Sequence, residues 1–100
     1  MNQIAVLGPH NCNAAFDIER RSHSYPWMKN IFFSNQGPRY LNFCLMVNGV
    51  MAAFVISQWV LDEATLLNLA VDPKFQRHGL GKVLLNYLIK ELKTHGVGML

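Results

Sequence analysis

Two glycines and three present or potential cations occupy the six positions from Arg77 to Lys82, which read RHGLGK. This stretch follows an apolar run that ends at Val71 and a break at Asp72-Pro73, and it precedes apolar residues at helical spacing. Gly79 and Gly81 therefore lie at a predicted helix start, where the first amide N–H groups lack partners and the helix dipole is positive. Glycines also let a ligand approach the backbone closely, so a phosphate or pyrophosphate is the expected occupant.

Two common phosphate-binding motifs do not fit this stretch. The mononucleotide loop G-x-x-x-x-G-K-[ST] would need glycine at Gln76 and Ser or Thr at Val83. The dinucleotide fingerprint would need a third glycine at Leu84. What remains is QRHGLG, residues 76–81, of the form [QR]-x-x-G-x-[GA], which resembles the acyl-coenzyme A pyrophosphate loop of the GNAT N-acetyltransferase superfamily. Glycines near a helix start also occur in plain turns, but the position between a strand and an amphipathic helix favours the phosphate site.

The composition limits the classes of function. A chain of 100 residues with 51% hydrophobic content fits one small domain. The net charge is +3, but the Lys and Arg residues are scattered, which favours a solvated surface over direct nucleic-acid binding. Cys12 and Cys44 are too few and too far apart for a disulfide framework, so we expect a reducing, cytoplasmic setting. The apolar segment MAAFVISQWVL is too short to span a membrane.

Periodicity and turn residues predict the element order β-α-α-β-β-β-α. The first strand is QIAVL, Asn11 or Asn13 could cap the first helix, and a short helix runs from Trp27 to about Ser34. Asn48-Gly49 is a strong hairpin signal. It joins the predicted strands LNFCLMV and VMAAFVISQWV. A further strand, EATLLNLAV, follows a turn near Asp62. The last helix ends near Gly96.

This order resembles the front of the GNAT fold. More narrowly, the stretches SNQGPRYLNF, MAAF, LDEATLLNLAVDP and QRHGLG are similar to those of the bacterial ribosomal-protein alanine N-acetyltransferases, over nearly the whole chain. The resemblance implies one α/β (α+β) GNAT domain over residues 1–100, with a mixed, mainly antiparallel sheet flanked by helices. It also implies transfer of an acetyl group from acetyl-CoA to a protein N-terminal amine, the N-terminal alanine of a ribosomal protein. Acetylation of a lysine or small amine, and a non-catalytic acyl-CoA binding module, remain as alternatives.

The cofactor contacts of the family map onto two segments of this chain. The resemblance implies that the backbone of Leu69, Ala70 and Val71 pairs with the pantetheine arm as an added strand. It also implies that the pyrophosphate is held by Arg77, His78, Gly79, Leu80, Gly81 and Lys82. In the superfamily a bulge opens this strand edge, and the polar Asn68 in TLLNLAV is compatible with a break there. The alternative is an ordinary buried strand in which Asn68 bonds locally.

The catalytic residues are not identified by the sequence. Attack of an amine on the thioester needs a neutral amine, a polarised carbonyl and a proton donor for the thiolate. The family places its base on a fifth strand and its donor tyrosine in a later helix, whereas this chain stops at GVGML, where that strand should be starting. Glu63 is the nearest acid to Thr65, where some superfamily members carry a carboxylate, but a solvated turn residue is its alternative. Tyr25, Tyr40 and Tyr87 precede the expected donor position, and core packing explains Tyr87.

Three residues are expected to contact the acceptor. In the superfamily the region of HSYPWM lines the acceptor groove, and Tyr25 and Trp27 offer rigid aromatic surface there. Glu19 on the preceding helix could attract an ammonium. An apolar cluster under a loop is the equal alternative.

We predict no metal site, because no histidine is paired with Cys or a carboxylate at zinc-ligand spacing. The four histidines are His10, His23, His78 and His95. Because the chain stops at the fifth strand, we expect a domain without its C-terminal portion, an unpaired edge on the fourth strand, and self-association or marginal stability with little activity.

Overall fold

The computed structural model describes residues 2–99 as one five-stranded sheet with helices on both faces. The strands lie in the order of the sequence, with antiparallel neighbours from β1 to β4 and a parallel β4–β5 pair. Their bounds are β1 Asn2–Val6, β2 Phe43–Val47, β3 Val50–Val60, β4 Glu63–Val71 and β5 Gly98–Met99; the helices are α1 Cys12–Ser22, α2 Lys29–Ser34 and α3 Leu80–Thr94. The predicted element order and the mixed, mainly antiparallel sheet are confirmed. Met1 and Leu100, at the ends of the expected domain, lie outside the described residues.

Each face of the sheet carries its own apolar core. Leucines four residues apart on α3 make one stripe, which packs on Phe43, Leu45 and Val55 of the sheet. The stripe consists of Leu80, Leu84, Leu88 and Leu92. On the other face, α1 and α2 cover Phe54 and Ile56. The two faces of β4 are therefore buried differently, with Val71 under α3 and Ala70 under α1.

The turns between the strands form where they are predicted. Asn48 and Gly49 both have positive φ, 50° and 83°, as a tight hairpin between β2 and β3 requires. Leu61 (φ 58°) and Asp62 join β3 to β4, and α3 ends at Thr94 shortly before Gly96 (φ 72°). Glycine tolerates this left-handed conformation, which ends helices.

Two details of the helix starts differ from expectation. Helix α2 begins at Lys29 rather than Trp27, because the backbone of Met28 is extended (ψ 149°). The Trp27 N–H donates to Glu19 Oε2 (2.8 Å). Asn11 occupies the cap position of α1, but its side chain makes no capping bond. Its Oδ1 instead accepts from the Gly8 N–H (2.9 Å), so Asn11 closes the β1–α1 loop.

Strand β4 contains the bulge that the polar Asn68 suggested. Ile56 lies opposite Asn68 and Ser57 lies opposite Leu66, so Leu67 is an extra residue on β4. Within residues 2–99, β5 pairs with β4 only at Glu63 and Ala64, and it does not pair with the part of β4 beyond the bulge. The half of β4 that leads to the glycine loop therefore has one edge without a strand neighbour in the described part of the chain.

Of the helices within residues 2–99, none combines the length and apolar character that crossing a bilayer requires. Cys12 and Cys44 are buried free thiols. Burial raises the pKa of each. Both are therefore held in the unreactive thiol form.

Candidate cofactor and acceptor sites

The loop between β4 and α3 is tied to α1 through Asp72. The Asp72 carboxylate is buried and accepts from the Lys74 N–H (3.1 Å) and from Arg21 Nη2 (2.6 Å). Burial raises the pKa of Asp72, but the bonds from Lys74 and Arg21 and their charges outweigh it, so that the pKa lies below its ordinary value. The loop is thus anchored at its first residue by a charged pair that sequence reasoning did not identify.

The start of α3 presents free backbone N–H groups beside open space. The first intrahelical bond runs from the Val83 N–H to the Gly79 C=O (3.1 Å), which leaves the amides of Leu80, Gly81 and Lys82 ahead of it. Gly79 has φ 73°, and a Cβ built there would meet no atom within 4 Å. A ligand can therefore approach the backbone at Gly79 without obstruction.

The side chains around that point match an anion. Arg77, His78 and Lys82 are all exposed, and Arg77 has a left-handed φ of 71° that a non-glycine residue rarely adopts. Gly81 is needed for close packing, because a Cβ there would lie 3.3 Å from Val71 Cγ2. Gly81 lets α3 begin close against β4, and Gly79 keeps the approach to the helix start open.

The free edge of β4 carries backbone groups from alternate residues. The Asp72 N–H donates to the Ala52 C=O on β3 (2.8 Å), so by antiparallel alternation the Ala70 backbone also faces β3. Leu69 and Val71 then direct their N–H and C=O groups to the free edge. The Val71 C=O already accepts from Ser22 Oγ and Gln76 Nε2, each at 3.1 Å. Of the three predicted pantetheine positions, Leu69 and Val71 thus have the edge geometry, and Ala70 does not.

A cleft of about 330 Å³ lies between α1, the loop after it and the bulge of β4. It brings together the three residues predicted to meet the acceptor, and its lining is Glu19, His23, Ser24, Tyr25, Trp27 and Asn68. Tyr25 is 93% exposed, while Trp27 is half-buried with its ring edge-on to Phe32 (6.1 Å between centroids).

Glu19 organises this cleft from beneath. It is 1% exposed; Oε2 accepts from the Trp27 N–H (2.8 Å) and Oε1 accepts from Asn68 Nδ2 (2.9 Å). His23 Nε2 is 3.3 Å from the same Oε1 and 3.1 Å from Asn68 Oδ1. Both Glu19 oxygens are engaged, so this carboxylate fixes the loop and the bulge rather than offering a free charge to an ammonium.

His23 and Ser24 lie in the HSYPWM segment that was expected at the acceptor groove, but neither was predicted as a contact residue, and Asn68 was not placed in the cleft. His23 follows the last residue of α1, four residues after Glu19, and this spacing was the available signal for their contact. The sequence marks Asn68 only as a possible strand break or a locally bonded residue. Its side-chain amide instead bridges to α1, which required knowing which helix covers β4.

Glu63 lies at the other end of β4 from the glycine loop. It is exposed, sits beside the β3–β4 turn and is paired with Gly98. Asn68 is five positions farther along the strand, about 16 Å at the usual rise. This position agrees with the solvated-turn alternative. Tyr87 packs edge-on against Phe43 (5.0 Å between centroids), as its spacing predicted.

In the part of the chain that the structure describes, residues 2–99, no three or more His, Cys, Asp or Glu side chains are grouped so that they could hold a metal ion.

A bulged strand that opens into a glycine loop and a helix start defines the class of acyl-CoA-dependent N-acyltransferase folds. Residues 10–100 match the acetyltransferase (GNAT) family, and the chain belongs to that family.

Within the family the chain is similar to enzymes of one kind. It is 57% identical over 97 residues to the ribosomal protein bS18-alanine N-acetyltransferase of Salmonella typhimurium strain LT2, covering 97% of this chain and 66% of that protein. The identity to the enzyme of that name from Escherichia coli strain K12 is also 57%, covering 100% and 68%. The chain thus spans about two thirds of the length of these curated relatives.

Solved structures agree with this grouping. The crystal structure of the ribosomal-protein-S18-alanine N-acetyltransferase from Escherichia coli superposes with a TM-score of 0.95 at 58% identity, covering 97% of this chain and 63% of that one. The PaiA N-acetyltransferase of Thermoplasma acidophilum, solved in complex with coenzyme A, has a TM-score of 0.81 at 15% identity, covering 97% and 75%. This second likeness shows the shared fold alone.

Proposed function

We propose that the protein transfers an acetyl group from acetyl-CoA to a protein N-terminal amine, and that the acceptor is the N-terminal alanine of ribosomal protein bS18. The observation that carries the proposal is that one strand borders both sites. The far end of β4 leads into the helix start with its free amides, and the bulge at Leu67 and Asn68 borders the acceptor cleft. The names of the similar enzymes from Salmonella and Escherichia supply the acceptor.

The pyrophosphate of acetyl-CoA would lie against the amides of Leu80, Gly81 and Lys82. Arg77, His78 and Lys82 would add charge around it. The pantetheine arm would extend along the free edge, where its amides can pair with the backbone of Leu69 and Val71. An extended chain that follows this edge from Val71 reaches Leu67 after about 13 Å. The thioester would then lie beside the bulge, next to the cleft.

The acceptor terminus would enter the cleft between Tyr25 and Trp27. Aromatic surface of this kind contacts a peptide with little loss of side-chain entropy. The preference for a chain terminus over an internal lysine comes from the names of the similar enzymes.

The test is a turnover assay with three peptides. The first begins with alanine and follows the acceptor's N-terminal sequence, the second is the same peptide N-acetylated, and the third has a blocked N-terminus and one lysine. We expect free CoA with the first peptide only. Turnover of the third would indicate a lysine acetyltransferase, and acetyl-CoA binding without turnover of any peptide would indicate a binding module.

Two further properties of the protein belong to the proposal. A cytoplasmic setting is supported by the two buried free thiols, which fit a reducing compartment. Self-association is supported by exposed apolar residues at the ends of β3 and in the turn after it, Val50, Val60 and Leu61. Sedimentation over a range of protein concentrations tests it, and a monomer throughout would contradict it.

A further inference from the structure

The extra residue in β4 reverses the faces of the sheet to which the side chains of this strand point. Before the bulge, the even-numbered Ala64 and Leu66 pack in the apolar core under α3. After the bulge, Ala70 packs under α1, and Asn68 Nδ2 donates to Glu19 Oε1 on α1 (2.9 Å). In a regular strand alternate residues share one face, so these four side chains would all point the same way. The one extra residue produces the change of face.

The bulge also decides which backbone groups reach the free edge of β4. The backbone of Ala70 and Asp72 faces β3, so the N–H and C=O groups of Leu69 and Val71 face the free edge. A strand without the extra residue would continue the register of its first half, and every residue after Leu66 would shift by one place along β3. Leu69 and Val71 would then bond to β3, and Ala70 would face the free edge.

Asn68 is the residue that distinguishes these two registers. In the bulged strand its buried amide has a partner at each end, because Nδ2 donates to Glu19 and Oδ1 lies 3.1 Å from His23 Nε2. In the regular register the same amide would point into the apolar core under α3. Burying an amide without hydrogen-bond partners is strongly unfavourable. The apolar neighbours Leu67 and Leu69 fit either face and make no such distinction.

We propose that Asn68 is a positioning residue for acetyl-CoA. Because its amide finds partners only on the α1 side, Asn68 keeps the extra residue in β4 and so directs the backbone groups of Leu69 and Val71 to the free edge. This inference rests on the proposed function, in which the pantetheine arm pairs with those groups. Asn68 acts through the register of the strand rather than by contact with the cofactor.

This role belongs to the amide of Asn68 rather than to its partner on α1. Glu19→Gln weakens the bonds between the two side chains but leaves Asn68 polar. The regular register would still place an amide in the apolar core, so the bulge remains. Asn68→Leu removes the bonds to α1 and also removes the penalty for facing α3. Only Asn68→Leu therefore makes the regular register accessible.

Amide hydrogen exchange, followed for each residue by NMR, tests the register directly. In the wild type the amide of Ala70 bonds to β3 and should exchange slowly, whereas those of Leu69 and Val71 at the free edge should exchange faster. We expect Asn68→Leu to reverse this order, so that the Leu69 and Val71 amides become protected and the Ala70 amide exchanges at least about tenfold faster than they do.

Two control variants separate a change of register from a loss of stability. Asn42 is another buried asparagine with a partner at each end of its amide, the Asn35 C=O (2.9 Å) and the Ser57 N–H (3.1 Å), and it lies outside β4. Asn42→Leu should destabilise the protein and leave the exchange order of β4 unchanged. Asn68→Gln keeps an amide at the deciding position and should also retain the wild-type order.

Deleting Leu67 from the Asn68→Leu chain gives a rescue test. The shortened strand is regular, yet it places the substituted residue opposite Ile56, where Asn68 lies in the wild type. Leu69 and Val71 then face the free edge again. We expect the deletion to restore the wild-type exchange order. Loss of packing alone would not be reversed by removing a further residue.

Calorimetry measures the consequence for the cofactor. Asn68→Leu should weaken acetyl-CoA binding about tenfold or more, because two backbone residues that would pair with the pantetheine arm bond to β3 instead. Asn42→Leu and Asn68→Gln should stay within about threefold of the wild type. The deletion of Leu67 from Asn68→Leu should recover most of the lost affinity.

The outcomes separate this inference from the proposed function. An unchanged exchange order in Asn68→Leu would overturn the inference. Failure of both Asn68→Leu and its deletion variant to fold would also overturn it, because Asn68 would then serve stability alone. A reversed order with unchanged acetyl-CoA affinity would overturn the positioning role. A wild type that binds no acetyl-CoA would contradict the proposed function, and the exchange order would still decide whether Asn68 sets the register.

Discussion

The two ends of the segment from Asn68 on β4 to Gly81 on α3 present different kinds of groups. At the helix start the exposed groups belong to the backbone, and their exposure follows from two glycines and a strand edge. At the bulge the groups are side chains from α1, from the loop after it and from β4, joined by hydrogen bonds between residues as far as 49 apart in sequence. A backbone site depends on local conformation, whereas a side-chain site depends on which helix covers the strand. The site at the helix start should therefore be disrupted by replacing one glycine. The cleft at the bulge should be disrupted by replacing one buried carboxylate oxygen.

The largest expected effect is at Gly79. Replacing Gly79 with Leu places a side chain in the space where the pyrophosphate would lie, and we expect acetyl-CoA affinity to fall at least 100-fold, about 2.7 kcal/mol. Calorimetry measures this. Gly96→Leu is the matched control, because Gly96 has φ 72° and the same open surroundings at the other end of α3. Both variants should lose about 1 kcal/mol of stability from the left-handed backbone. Equal affinities in the two would remove the phosphate assignment.

The next effect sharpens the account of the cleft. In Glu19→Gln one carboxylate oxygen becomes an NH₂ group, which must face either the Trp27 N–H or Asn68 Nδ2, both donors. We expect the free energy of unfolding to fall by about 2 kcal/mol, the usual cost of a buried donor left unpaired. Urea denaturation measures it, with Glu91→Gln on α3 as the control. Acetyl-CoA affinity should stay within twofold of the wild type, and a large loss there would mean that the two sites are not separate.

A smaller effect is expected from the charges around the helix start. Converting Arg77 and Lys82 together to Ala should weaken acetyl-CoA binding about tenfold and reduce its salt dependence, because exposed cation–phosphate contacts are screened by ions. The control is Lys90→Ala with Lys93→Ala, two exposed cations farther along the same helix. An unchanged salt slope in the first variant would show that Arg77 and Lys82 do not contact the phosphates.

The smallest effect concerns the anchor that joins the two regions. The folded-state pKa of Asp72 is lowered, so the unfolded chain takes up the proton first as pH falls, and the stabilisation present above about pH 4 is lost below it. We expect Arg21→Met to lower stability by about 1 kcal/mol at pH 7 and by less at pH 3. Arg20→Met, which removes the exposed pair with Asp17, should cost less than about 0.5 kcal/mol. Denaturation at pH 7 and pH 3 measures the free energy of unfolding of each variant. Equal losses for the two arginines would contradict the claim that the Arg21–Asp72 pair anchors the loop.

The same difference explains what could be predicted from sequence. The strands, the Asn48-Gly49 hairpin and the glycine loop follow from local patterns, and their positions are confirmed. Tyr25, Trp27 and Glu19 were expected near the acceptor, and the structure places them in one cleft. Their bonds could not be predicted, because the partner of Glu19 is Asn68 on a strand whose neighbour is set by the whole topology. The Arg21–Asp72 pair was missed for the same reason.

The start of α2 shows the same limit at the level of one residue. The pattern around Trp27 fits a helix, but Met28 has an extended backbone (ψ 149°), and the helix begins at the next residue, Lys29. The Trp27 N–H, which would have no partner at the start of a helix, donates to the buried Glu19 carboxylate. Local pattern thus predicts that an element exists but not the residue at which it begins.

The most direct test of the account is to identify the atom that receives the acetyl group. The protein is incubated with acetyl-CoA and a peptide that begins with alanine and also contains a lysine, and the product is sequenced by fragmentation mass spectrometry. The account predicts one acetyl group on the α-amine of the alanine, with an equal amount of free CoA. Acetyl-lysine with a free α-amine, or bound acetyl-CoA with no product, would contradict the claim that the edge of β4 and the cleft at its bulge form one acetyl-transfer site.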